Sequence, residues 1–160
     1  MSDGQRAERA ARAAERAFEL ENRVGCCPQC VLTAVREVGL PVTDETIKAS
    51  HGLSGGGGLM GVGACGALAG GLMALGTVKG RDADKLDKGR GMANFQVGRR
   101  LVERFRETYG GVTCEHLQER FTGRTWDMWQ PAEYKGFSQA RGERCAEATA
   151  LVTRWVVEMT

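Results

Sequence analysis

The sequence predicts an all-α fold: a single-domain bundle of about five to six helices, with a glycine-rich loop before its central helix. Three observations carry that prediction. Apolar residues recur at helical spacing in one segment after another, no stretch shows the period of two that a half-buried strand needs, and Gly, Pro and Thr stand where helices start and stop. A chain of 160 residues suits one domain with a sizeable core.

Residues 1–24 form the N-terminal segment, with an amphipathic helix from Gln5 to Arg23. Ala7, Ala10, Ala11, Ala14, Ala17 and Phe18 recur at helical spacing, with Arg and Glu between them. An alanine-rich face allows close helix packing, and also makes this segment a candidate homodimer contact. Residues 25–160 form the core of the domain. A second helix runs from about Pro28 to Val38, with Val31, Leu32, Val35 and Val38 as its stripe, Pro28 at its start and Gly39 at its end. A short third helix follows Pro41. Thr43 caps it, and Asp44 and Glu45 suit its positive start.

Gly55 to Gly58 is a loop, because four successive glycines cost a regular element too much entropy. Twelve of the 23 glycines lie between Gly52 and Gly80, so backbone there does something that side chains would obstruct. The central helix spans roughly Cys65 to Val78, with Leu68, Leu72 and Leu75 on one face. Gly66 with Gly70, and Ala67 with Gly71, leave smooth strips for close packing. Lys79 to Gly91 is a polar surface connection. A fifth helix runs from Met92 to Tyr109 and stops at Gly110 and Gly111. Thr113 caps a short helix through Phe121. Thr122 to Phe137 carries Trp126, Trp129, Pro131 and Tyr134 without a clear period, and is expected to be an ordered loop covering something apolar. The last helix is expected from Gln139 to Met159, with Cys145, Ala148 and Val152 on its buried stripe.

The charge balance, 22 basic against 20 acidic residues with the signs interspersed, gives no electrostatic reason for a nucleic acid or an acidic membrane surface as partner. The first twenty residues hold no apolar core of the secretory type. The weakly polar stretch Gly52 to Val78 is too rich in glycine to read as a membrane span. A cytoplasmic location is therefore expected. In such a compartment thiols stay reduced, and six gathered cysteines point to metal binding or redox chemistry ahead of structural disulfides.

Cys27 precedes Pro28, Cys65 opens the central helix, and Cys114 follows the cap Thr113. All three are expected at helix N-termini, where free N–H groups and the helix dipole favour a thiolate. Cys145 faces inward from the last helix and could meet them. Cys27-Pro28-Gln29-Cys30 is a C-x-x-C, a spacing that suits a redox disulfide or two ligands of one metal. Val31 stands where c-type haem attachment needs a histidine, so haem is not expected.

This order of residues resembles the redox-active C-GCAxxG-C-C family. It comprises Cys27-x-Gln29 on a helix, a glycine-rich loop, Cys65-Gly66-Ala67-Leu68-x-Gly70, Cys114 after Tyr109-Gly110-Gly111, and Cys145. That family is helical and related to the split-Soret cytochrome c proteins. The resemblance covers roughly Cys27 to the C-terminus and implies redox chemistry or iron–sulfur binding at Cys27, Cys65, Cys114 and Cys145. Cys26 and Cys30 are additional thiols beside the first family position, either of which could take the place of Cys27 or serve as a resolving thiol, and the Trp126–Phe137 segment is an addition to the pattern.

Four thiols spread over separate helices suit an iron–sulfur cluster, acting in electron transfer or a redox step with a partner protein. Zinc is the alternative metal. Backbone N–H groups around Gly63 and Gly66 could donate to cluster sulfurs, and His116, two residues after Cys114, is a candidate second donor. Two further readings stand beside this one: a thiol–disulfide oxidoreductase using Cys27 and Cys30, and a helical interaction module without chemistry. The glycine run lacks the Gly-Lys-Ser/Thr ending of a phosphate loop, and no Ser-His-Asp arrangement is present.

Overall fold

In the computed structural model all 160 residues are described, and eight α-helices account for the fold. They are α1 (Asp3–Val24), α2 (Cys27–Glu37), α3 (Asp44–Ala49), α4 (Gly66–Lys79), α5 (Met92–Tyr109), α6 (Cys114–Thr122), α7 (Pro131–Arg141) and α8 (Arg144–Glu158). Short 3₁₀ turns at His51–Leu53 and Ala83–Lys85 complete it. The all-α class matches the sequence prediction, and the expected five to six helices become eight.

Two of the differences lie near the C-terminus. The expected loop Thr122–Phe137 is a loop only in its first half, because Pro131 starts α7. The expected single helix from Gln139 to Met159 is broken at Gly142, whose φ of 55° no helical residue adopts, and α8 begins afresh at Arg144. No helix is long and apolar enough to cross a membrane.

The helix starts follow from local chemistry. Ser2 accepts from the Gln5 N–H while the Gln5 side chain accepts from Ser2, a capping box that opens α1. Thr43 and Thr113 cap α3 and α6 through their hydroxyls. Cys26 and Cys65 occupy the cap positions of α2 and α4 without a side-chain bond.

The core is built around α4. Its Ala67, Leu68, Ala74 and Leu75 pack with Val31, Leu32 and Val35 of α2, Leu101 and Phe105 of α5, and Val152 and Val156 of α8. Phe105, Leu68, Leu75 and Leu101 are wholly buried, each burial stabilising by about 1.5–3 kcal/mol. The smooth strips on α4 are used as their spacing suggests. A Cβ on Gly70 would stand 2.7 Å from the Cα of Pro28, so α2 rides directly on the α4 backbone. On the second strip, Gly71 receives Val152 and Leu101.

The alanine face of α1 buries Ala10, Ala13, Ala14 and Ala17 within the chain, where α1 packs along α8. Ala10, Ala14 and Ala17 of the face proposed for a dimer contact are thus covered within the chain, while Ala7 and Ala11 of that face stay exposed.

Candidate functional site

Four helix starts converge. Cys27 is the first residue of α2, Cys65 the cap of α4, Cys114 the first residue of α6 and Cys145 the second residue of α8. All four line one cavity of about 70 Å³, and Cys26 lines its edge. Chain folding brings together four thiols that are far apart in sequence. Cys145 faces inward beside Ala148, as its spacing suggested, and the break at Gly142 puts it in the first turn of α8, half-buried and facing the cavity.

A single antiparallel bridge between Ala64 and Thr113 ties two of these starts together. The Cys65 N–H donates to Val112 at 2.7 Å, and the Cys114 N–H donates to Gly63 at 3.0 Å. Gly63 therefore serves through its carbonyl. It does not line the cavity, and a Cβ there would collide with the Gly56 carbonyl. Gly66 does line it, and lacks a side chain because Pro28 Cδ and Cys27 Cβ come so near. His116 lies outside the cavity, its Nε2 paired with the Tyr109 carbonyl at 2.9 Å.

Cys30 is turned elsewhere. Its thiol donates to the Gly25 carbonyl at 2.9 Å, and it borders a separate surface hollow. Cys27 and Cys30 are thus not brought to one pocket. No three His, Cys, Asp or Glu side chains meet at a point as ligands of a single ion. The four cavity thiols surround a space instead.

The electrostatics reverse one expectation. Helix starts were expected to favour thiolates, but burial outweighs them. Desolvation lifts the Cys27 thiol far above its ordinary range, with Glu21 adding to the effect. Burial likewise lifts Cys65 to about 12, against the pull of the Ala67 and Leu68 N–H groups. Cys145 rises to about 11 through burial, partly offset by Arg141. Cys114 rises for the same reason, with Gln118 opposing. A charge on any of Cys65, Cys114 or Cys145 raises Cys27 further, so the four sense one another.

The 122–137 segment covers this cavity, as the sequence suggested for something apolar. Tyr134 and Phe137 line it together with Met128. Trp129 Nε1 donates to the Gly58 carbonyl at 2.9 Å and Trp126 Nε1 donates to Thr122, the last residue of α6, at 2.8 Å, while within the cover Arg124 lies 3.7 Å over the Trp126 ring. Gln118, wholly buried, accepts from the Trp126 N–H at 2.8 Å and donates to the Cys114 sulfur at 3.4 Å, joining cover to thiol.

The family model described as "Putative redox-active protein (C_GCAxxG_C_C)" matches residues 25–159, most of the chain. The chain belongs to this family. No curated protein and no solved structure matches it. Cys27, Cys65, Cys114 and Cys145, the positions that the resemblance suggested, all line the cavity, and so does Cys26. Outside the pattern, Glu21, Gln118, Met128 and Arg141 also face that space. Glu21 had a sequence signal, for it continues the Ala10, Ala14, Ala17 face of α1 as a carboxylate on an apolar stripe. Arg141 had none while residues 139–159 read as one helix.

Proposed function

We propose that Cys27, Cys65, Cys114 and Cys145 hold a thiolate-ligated redox centre, an iron–sulfur cluster, which serves electron transfer with a partner protein. The observation that carries this reading is the ring of four thiols around one cavity. The donor set fits the group: soft sulfur, four in number, on four rigid helix starts. Buried thiols with raised pKa values stay protonated by themselves, and iron would supply the positive charge that makes them thiolates. When bound, such a cluster supplies one-electron chemistry. The chain's own part is to bind it, to exclude water with Met128, Tyr134 and Phe137, and to direct helix N-termini at it.

Anaerobic purification followed by visible spectroscopy and iron and sulfide analysis tests the reading. A brown protein with stoichiometric sulfide is expected. A colourless protein that binds neither, even after reconstitution with iron and sulfide, sinks it. A reversible disulfide among the cavity cysteines in that colourless protein would then favour thiol–disulfide exchange.

A further inference from the structure

Two charged side chains enter the cavity, and neither belongs to the cysteine pattern. Glu21 of α1 is only 4% exposed. Its Oε1 accepts the Cys27 thiol at 3.4 Å, and its Oε2 is buried with no partner. Arg141, the last residue of α7, lines the same cavity near Cys145, and its Nε is also buried with no partner. No salt bridge joins the two.

Burying a carboxylate with one weak thiol bond is unfavourable, and so is burying an unpaired guanidinium nitrogen. Packing does not require either group. The neighbours of Glu21 on its face of α1 are Ala17 and Leu20, and an apolar side chain would continue that face. Arg141 stacks 5.5 Å from the Phe137 ring, a contact that needs no cavity-facing nitrogen. Groups held at such a disadvantage cluster where charge does chemical work.

We infer that Glu21 and Arg141 are opposed charges that set the reduction potential of the centre, Glu21 acting from the Cys27 end and Arg141 from the Cys145 end. This rests on the proposal that the redox change occurs in this cavity. One electron arrives from a donor protein and adds one negative charge to the centre, with no bond made or broken. The Glu21 carboxylate opposes that charge and the Arg141 guanidinium favours it. Glu21 precedes the segment matched by the family model, so this half of the device comes from α1 of this chain.

Redox titration of wild type, E21Q, R141Q, R141K and the E21Q/R141Q double variant tests the inference, with dithionite as reductant and soluble mediators. The visible bands of the loaded protein report the midpoint. E21Q is expected to raise the midpoint and R141Q to lower it. Each changes the redox equilibrium constant by at least about tenfold, the effect of a unit charge about 10 Å away at an effective dielectric near 20. R141K keeps the wild-type value, and the double variant falls between the singles. Single variants that leave the midpoint unchanged, or move it in one direction, overturn the charge pair. If E21Q does not fold, R141Q against R141K decides by itself. A colourless wild type overturns the cluster and the charge pair together, because reducing a disulfide to two protonated thiols adds no charge for Glu21 and Arg141 to act on, whereas a loaded protein with unmoved midpoints overturns the charge pair alone.

Discussion

Pro28 rests on Gly70. The Cβ that any other residue would carry at position 70 would lie 2.7 Å from the Pro28 Cα and 2.8 Å from its carbonyl oxygen. That contact places the start of α2, and with it Cys27, against the start of α4, where Cys65 sits. Gly70→Ala is expected to destabilise the protein by about 1–3 kcal/mol, a fall in melting temperature of roughly 2–12 °C for a chain of this size. Thermal unfolding by circular dichroism measures it. A variant as stable as wild type would mean that α2 and α4 separate freely.

The cavity thiols and the two remaining cysteines are expected to behave as different classes. Serine at position 27, 65, 114 or 145 should lower iron affinity by more than the roughly 10–100-fold that changes behind the ligands cost. Cys30→Ser, at a thiol bonded to the Gly25 carbonyl, should keep iron and sulfide near wild-type content. Metal analysis after reconstitution compares them. Equal loss at Cys30 and Cys145 would contradict the placement of the site.

Gln118 links the cover to Cys114. Gln118→Leu leaves the Trp126 N–H without its acceptor, a loss of about 1–3 kcal/mol. The expected signature is a red shift of tryptophan emission as the Trp126–Phe137 cover loosens, together with faster alkylation of Cys114. Unchanged emission would show that Trp129 and Thr122 hold the cover without Gln118.

Alkaline pH should weaken the reduced, metal-free protein. Burial raises Tyr109 to about 12 from an ordinary 10.0, and Cys65 to about 12 from 9.0. Both groups are held neutral in the fold. Their contribution is complete below the unfolded values and is lost as pH climbs through the folded ones, so the melting temperature falls between about pH 9 and 12. Tyr109→Phe should flatten the upper part of that slope. Melts across this range decide it, and a flat wild-type profile would contradict the burial of both groups.

The fold class, six of the helices and the close packing along Gly66 and Gly70 were legible because helix periods and caps are local signals. Cys27, Cys65 and Cys114 at helix starts were legible for the same reason. What stayed hidden was set at a distance. Gly142 lies inside the span read as one helix from Gln139 to Met159, and a lone glycine there does not by its type announce a break, so the turn that places Cys145 and Arg141 stayed hidden. Burial of the thiols depends on four helices meeting, and no single segment reports it, so the helix-start effect looked dominant when desolvation is larger. Gly63 was expected to face a bound group, and instead supplies the carbonyl that ties Cys114 in place.

The packing of α1 along α8 has a consequence for biosynthesis. Glu21 emerges from the ribosome early, and Cys145 follows only after six further helices have been made. The cavity therefore has no closed wall until the final helix docks on the first, a slow, long-range step. The proposed centre would therefore be delivered only once α8 has been made, and nascent chains expose several unguarded thiols to oxidants until then.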